Sequence, residues 1–461
     1  MNIKKTMCHH TLKGVVCDRH LFFGCSRTPR LKSRGFYVRD INKLLNSLEF
    51  ELSNEKKKEI ESQTNNVVSE IESQIKKYKL SAEVFIGGSF AKGTLAKRNK
   101  YDVDIFVRFD RKYESPDEIL KNVLERVSSK IGLILKTIHG SRDYFALISG
   151  DLIFEIVPVK KISKPEQAVN STDLSYFHVK YVKNKIKAKP ALVKEILLAK
   201  AFCRAQRVYG AESWVHGFSG YALECLVINY GSFLKMLKEL CKSKGQILID
   251  SEKKYKKKHE MIIELNESKR KGPIILIDPT YKQRNVCSAL NQETFDRFSV
   301  IAKKFIKRPN RSFFEREGIV SQKIESDARK KGFGYLKLII RSEKQEGDIA
   351  GAKLEKFYKF LLQEINKFYS IKLNFFEFDE KNEAEVYLVV KPNKKLLQIG
   401  PMLKMKTHAE SFKKVHKNVF VKRNRLYAPI EVKEIKVFIE EWKNKKASQI
   451  KEMDISTVNI V

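Results

Sequence analysis

Apolar positions become regular only after the first 37 residues. Ile41, Leu44, Leu45 and Leu48 recur at helical spacing, and Ile60, Val67, Val68, Ile71 and Ile75 mark one face of a long amphipathic helix. That helix leads into a short apolar run at 84–86, which reads as a strand, and 103–107 reads as a second strand. Leu120, Val123, Leu124 and Val127 line one side of a helix around 119–131. Residues 144–148 and 152–157 read as two short strands across a Gly150-Asp151 turn. A mostly helical stretch follows, with Leu192, Val193, Ile196, Leu197, Ala201 and Phe202 on one apolar face. Another helix is expected to start at Gly217-Phe218-Ser219-Gly220-Tyr221 and to run through Leu226 to about Leu240. Residues 253–258 read as a charged, solvated loop, and 274–277 as a strand ending at Asp278-Pro279. In the last third, 335–340 reads as a strand, 353–368 as a helix, and 371–378 and 384–390 as strands. This β-α-β-β order predicts a small α+β sheet with a helical face. Helices at 409–415 and 432–446 finish the chain, and no internal repeat is visible.

The chemistry gathers where the first two strands end and begin. Phe85-Ile86 runs into Gly87-Gly88-Ser89, and glycines let backbone N–H groups turn toward an anion such as phosphate. Asp102 and Asp104 flank Val103, so the period of two puts both carboxylates on one face of the second strand. Two adjacent carboxylates repel unless a divalent cation lies between them, and Mg²⁺ bridging carboxylates and substrate phosphates is the usual arrangement. Either motif alone is compatible with a plain turn; together they point to a nucleotidyltransferase site more than to a structural hairpin. Glu155 interrupts an apolar strand that stops at Pro158. It either faces solvent or joins Asp102 and Asp104 around metal, since a lone buried carboxylate is costly. Lys200 lies on an apolar helix face four residues after Ile196, where it must snorkel outward or meet an anion.

Charge widens this picture. The 461 residues carry 91 Lys and Arg against 55 Asp and Glu, a net +36 spread along the whole chain. A field of that size attracts polyanions, nucleic acid first among them, although a general lysine bias gives the same count. The length suits about three domains, and no apolar run approaches the ~20 residues of a membrane span. Of seven cysteines, Cys203, Cys225, Cys241 and Cys287 sit in apolar helical text and read as small buried hydrophobes, which suits a reducing, cytoplasmic setting. Cys8, Cys17 and Cys25, with His9, His10 and His20, crowd the first 25 residues at spacings that match no standard zinc pattern. That stretch reads as a metal site, a disordered extension or text ahead of the true start.

One series of motifs, in one order, carries a family resemblance: Gly87-Gly88-Ser89, Asp102-Val103-Asp104, Glu155-Ile156-Val157-Pro158, Tyr209-Gly210-Ala211-Glu212, Gly217-Phe218-Ser219-Gly220-Tyr221, and Asp278-Pro279 with Arg284-Asn285. Gly400-Pro401, Phe412, Asn418-Val419-Phe420 and Arg425-Leu426-Tyr427-Ala428 continue it. Over roughly residues 38–461 the chain resembles the archaeal-type (class I) CCA-adding enzymes, tRNA nucleotidyltransferases. The resemblance implies an α+β multidomain protein. Its parts would be a polymerase beta-like nucleotidyltransferase head (38–160), a helical neck (161–308) and a ferredoxin/RRM-like, RNA-binding body and tail (309–461); the basic Cys/His-containing extension (1–37) ahead of them has no counterpart in the resemblance. It implies addition of the tRNA 3′ CCA end from CTP and ATP, with two Mg²⁺ ions as cofactor and release of pyrophosphate. It also implies tRNA, through its acceptor arm, as partner, and extends to a homodimer.

Carried over by motif, Asp102, Asp104 and Glu155 would be the metal-binding catalytic carboxylates, Glu155 also helping to deprotonate the 3′ hydroxyl. Ser89 with the Gly87 and Gly88 backbone would cradle the triphosphate, and Lys92 would contact phosphate or base. Ser175, His178, Lys200 and Tyr209 would touch phosphates or sugar, and Arg284 the incoming base. Three positions depart from the family pattern. Glu155 stands for the usual aspartate, Lys92 for an arginine with a bidentate fork, and Ser175 for threonine. Two rival readings share the same text: a poly(A) or oligoadenylate polymerase of the same superfamily, and an RNA-binding protein with a decayed site.

Overall fold

A computed structural model describes residues 34–138, 144–316, 318–343, 345–393 and 396–461. The Cys8, Cys17, Cys25, His9, His10 and His20 reading lies outside the described residues. The chain divides into two compact units, one spanning Leu31–Glu317 and the other containing Gly318–Val461.

In the first unit, helices α1 (Arg34–Ser47) and α2 (Asn54–Lys77) precede strand β1 (Ala82–Ile86) and a one-turn helix α3 (Gly88–Ala91). Strand β2 (Tyr101–Phe109), helix α4 (Pro116–Ile131) and strands β3 (Ile134–Ile138), β4 (Tyr144–Ser149) and β5 (Leu152–Lys160) follow. The five strands form one sheet in the order β1-β2-β5-β4-β3. Of its pairings only β2 with β5 is parallel. Ile60, Val67 and Ile71 of α2 and Leu120, Val123, Leu124 and Val127 of α4 pack on Val103, Ile105, Phe154 and Ile156. Those strand residues alternate with Asp102, Asp104 and Glu155, so the period of two turns the carboxylates to the opposite face.

A second core of the same unit is helical. Helices α5 (Ser175–Ala188), α6 (Leu192–Ala205), α7 (Gly220–Tyr230) and α8 (Phe233–Lys242) are joined by strand β6 (Ile247–Ile249), helices α9 (Lys258–Glu264) and α10 (Glu267–Arg270), strand β7 (Ile274–Leu276) and helix α11 (Gln292–Lys307). Ile196, Phe202, Leu226, Phe233, Phe298 and Phe305 are fully buried in it. The expected single helix to Leu240 is two helices. Gly231 takes φ +82° and ends α7, and the Ser232 hydroxyl then accepts the Lys235 N–H at 3.3 Å to cap α8. The apolar face continues through the break, which is why periodicity alone runs the two together. Cys203, Cys225 and Cys287 are buried and Cys241 half-buried, all as free thiols.

The second unit holds helix α12 (Ser321–Lys330), strand β8 (Gly334–Ser342), helix α13 (Gly347–Asn366) and strands β9 (Tyr369–Phe378) and β10 (Glu383–Pro392). Strand β11 (Leu397–Met402), helix α14 (Lys406–Val415), strands β12 (Phe420–Lys422) and β13 (Arg425–Pro429), helices α15 (Ile435–Lys445) and α16 (Ala447–Glu452) and strand β14 (Ile455–Ile460) complete it. The expected β-α-β-β run acquires β14 beside β8, giving an antiparallel sheet in the order β14-β8-β10-β9. With α15 and α16 ahead of β14, the order is the β-α-β-β-α-β of a ferredoxin-like fold. Among the described residues no helix is long and apolar enough to cross a membrane.

Candidate active site

The site starts at the end of β1. The Gly87 N–H donates to the Asp104 carbonyl at 2.8 Å, so the glycine turn lies directly over β2. Gly88 has φ +58°, and a Cβ there would stand 1.6 Å from Asp104 Oδ2. Only glycine lets the turn approach this carboxylate so closely. In the parallel β2–β5 pairing Asp104 is the direct partner of Glu155, with Asp102 paired to Ile153. The three acidic residues therefore share one sheet face, each half-buried. Burial raises the Asp104 carboxyl above its ordinary range and the charge of Asp102 adds to this, while Lys92 and Lys200 oppose it. Asp102 has a cation of its own, the Arg98 guanidinium at 3.5 Å. Among the described residues no group of three His, Cys, Asp or Glu side chains is placed to hold a metal ion. The donor chemistry is nonetheless that of a hard divalent ion: oxygens only, with the Asp104 carboxylate held against the charge of Asp102.

Close enough for its lysines to act on the Asp104 carboxyl is a buried ionic cluster that joins the loop after α3 to helices α6 and α7. Glu224 is fully buried; its Oε2 meets Lys92 Nζ at 2.6 Å and its Oε1 meets Lys200 Nζ at 2.7 Å. The Thr94 hydroxyl donates to Glu224 Oε1 at 2.7 Å, and Lys200 also donates to the Thr94 carbonyl at 3.1 Å and to its hydroxyl at 3.0 Å. Burial disfavours the Glu224 charge, but Lys200 and Lys92 outweigh it and hold the carboxyl at about 2. Lys200 thus does not snorkel; it is 1% exposed and its anion is supplied by the protein.

A second hub is Asp278, just after β7. His178 Nε2 lies 2.9 Å from its Oδ2, and Arg284 donates to the same oxygen at 2.8 Å. Oδ1 accepts from the Tyr221 hydroxyl at 3.1 Å and from the Thr280 N–H and hydroxyl at 2.8 and 2.7 Å. Burial works against the Asp278 charge, yet the bonds from His178 and the charge of Arg284 keep its carboxyl well below the usual range. Burial likewise lowers His178, whose ring stacks on Tyr221 at 4.0 Å. Tyr221 links the two hubs, with Lys92 5.6 Å and Arg284 5.9 Å from its ring centre. Tyr209 lies beside the first hub, where Lys200, Arg98 and Lys92 ease the cost that burial puts on its ionisation. A Cβ on Gly220 would stand 2.9 Å from the Tyr209 hydroxyl, so the glycine leaves that hydroxyl its space. Ser89 and Ser175 are half-buried at the start of α3 and α5.

Asp102, Asp104 and Glu155 are brought together by one sheet face, Lys92 and Lys200 by Glu224, and His178 and Arg284 by Asp278. Sequence reasoning missed Glu224 and Thr94, and quoted Asp278 and Tyr221 only as motif text. The available signals were Glu224 within an apolar helix, four residues after Gly220, and Asp278 closing an apolar strand.

Residues 68–197 match the family described as nucleotidyltransferase domain, and residues 194–315 the one described as tRNA nucleotidyltransferase, second domain. The CCA-adding enzyme of Nanoarchaeum equitans is 33% identical over 354 residues, 76% of this chain and 83% of that protein. That of Methanocaldococcus jannaschii is 33% identical over 365 residues, 76% of this chain and 78% of that protein. Among solved structures, a Cid1 poly(U) polymerase with bound Mg 3′-dATP gives a TM-score of 0.47 at 14% identity, over 62% of this chain and 99% of that one. On the matched domains and the share of these relatives that it spans, the chain belongs to the archaeal-type CCA-adding enzymes, a family of tRNA nucleotidyltransferases.

Proposed function

We propose that the chain adds or repairs the 3′-terminal CCA of tRNA from CTP and ATP, without a nucleic-acid template, by two-metal nucleotidyl transfer. The observation that carries this is the common sheet face of Asp102, Asp104 and Glu155, with Gly88 pressed against Asp104. The tRNA 3′ oxygen attacks the α-phosphorus in line, the bond from that phosphorus to the β-phosphate bridging oxygen breaks, and pyrophosphate leaves. When bound, two Mg²⁺ ions on these carboxylates supply charge for the attacking and leaving oxygens. Glu155 takes part in removing the 3′ hydroxyl proton. Ser89 and the Gly87 and Gly88 backbone cradle the triphosphate, Lys92 and Lys200 offset its charge, and Ser175, His178 and Tyr209 meet phosphate or sugar. Arg284, oriented by Asp278, contacts the base.

In this reading residues 38–160 are the catalytic head, 161–308 the neck and 309–461 an RNA-binding body and tail. The basic chain holds the acceptor arm by its backbone. The reading extends to a homodimer, which light scattering tests, and to a reducing, cytoplasmic setting.

The deciding experiment supplies labelled CTP and ATP, with Mg²⁺, to a tRNA transcript that ends before its CCA. Addition of two C and one A that then stops, lost in Asp102→Asn/Asp104→Asn, is the expected result. A long A-tail would move the chain to the poly(A) polymerases. No incorporation with tRNA binding retained would make it an RNA-binding protein with a decayed site.

A further inference from the structure

A buried ion pair that serves only as an internal tie balances its charges. The cluster at Glu224 does not: two ammonium groups share one carboxylate. Lys92 and Lys200 are 8% and 1% exposed at the side chain and Glu224 is wholly buried. A buried positive charge without a neighbouring anion is costly, so the cluster favours a further anion beside it. Lys92 caps the end of α3, four positions after Gly88, so the surplus lies next to the glycine turn that is pressed against Asp104.

The hydrogen bonds give the cluster a direction. Lys200 has three N–H donors, and three acceptors are in reach: Glu224 Oε1, the Thr94 carbonyl and the Thr94 hydroxyl. Thr94 in turn donates to Glu224 Oε1, so that oxygen is fixed from two sides. The other oxygen, Oε2, receives Lys92 at 2.6 Å. Lys92 comes from the loop beside the glycine turn, whereas Lys200 and Glu224 come from α6 and α7. A flexible four-carbon stem carries each ammonium, and without a fixed anion the two would repel and diverge.

We propose that Glu224 is a positioning residue for nucleotide binding: anchored by Lys200 and Thr94, its carboxylate holds the Lys92 ammonium beside the glycine turn, where Lys92 donates to the triphosphate of the incoming nucleotide and Lys200 adds fixed charge. This rests on the triphosphate assignment of the two lysines made above. Glu224 touches no substrate; it acts through the two lysines, with Thr94 fixing its orientation.

The test is equilibrium binding of Mg·CTP to the full chain by calorimetry, which needs no turnover and so is separate from the CCA-addition assay. Glu224→Gln keeps the shape and removes the charge. It is expected to weaken CTP binding about tenfold or more, to raise KM for CTP and ATP with kcat little changed, and to leave tRNA affinity unchanged. In a Lys92→Met/Lys200→Met background the same substitution is expected to change CTP affinity less than about twofold. An equal fold-loss in both backgrounds would mean a general structural role and would overturn the proposal. So would unchanged CTP affinity in the single variant, or absence of CTP binding by the unaltered chain. Should Glu224→Gln not fold, Glu224→Asp, which retains the charge and retracts it by one methylene, takes its place in the same cycle. If the chain binds CTP as expected but adds no CCA, the catalytic reading fails and the positioning role stands.

Discussion

Burial raises the ionised form of Asp104 in energy and the charge of Asp102 adds to this, while Lys92 and Lys200 offset only part of it. A carboxyl whose folded value is raised contributes its stability below the unfolded value of 3.8 and loses it as pH rises through the folded value. At neutral pH Asp104→Asn is therefore expected to raise the melting temperature measured without divalent cations and to abolish incorporation measured with Mg²⁺; a lowered melting temperature would contradict this. Gly88→Ala is expected to cost about 1–2 kcal/mol from its left-handed backbone alone, with the added Cβ displacing Asp104. Denaturant unfolding and incorporation both read it, and a variant with native activity would sink the close approach as a requirement. Glu224 and Asp278 carry the opposite sign, because their folded values are lowered. Their stability is present in full above the unfolded carboxylate range and is lost as pH falls toward the folded values. The stability gap between the unaltered chain and Glu224→Gln should thus narrow as pH drops below about 4.5. A gap that widens there would mean that the Glu224 carboxyl is not held ionised. At this scale Asp102 and Asp104 were legible, because a period of two fixes their common face. Glu224 was not: its partners lie 132 and 24 residues away, and no local pattern encodes that meeting.

Helix boundaries carry the site at the next scale. Ser219 accepts the Ala222 N–H at 3.1 Å and starts α7, which presents both Tyr221 and Glu224. Ser219→Ala should cost about 1 kcal/mol of folding stability, read as a lower denaturant midpoint; an unchanged midpoint would remove the cap from the account. Amphipathic helices and the βα text of the last third were legible, since their periods are local. The break at Gly231 was overridden by an apolar face that runs on through α8. The parallel pairing that sets Glu155 against Asp104 was not legible either. It depends on β5 inserting between β2 and β4, a choice of topology that no strand's own residues announce. Strand β14 pairs with β8 across more than a hundred residues and escaped for the same reason.

For the whole molecule the dominant quantity is +36 of net charge. Binding of tRNA should weaken linearly in log–log terms with salt, by about 0.7–0.9 per phosphate neutralised. An affinity flat between low and physiological salt would exclude backbone contacts as the main source of binding. Composition made this legible without any fold. It could not say where the charge acts, and within the first unit the structure concentrates two cations on one buried carboxylate beside the candidate reaction centre.

The separation of Lys92 from Glu224 along the chain also has a consequence in time. A ribosome delivers the carboxylate face first, since β1, β2 and β5 are all complete by Lys160. Until α7 emerges, Lys92 has no Glu224 to meet, so a nascent chain that already owns its acidic residues should be unable to retain a nucleotide. Chains stalled before and after α7 are expected to differ in CTP retention, and equal retention would remove Glu224 from the account of nucleotide binding.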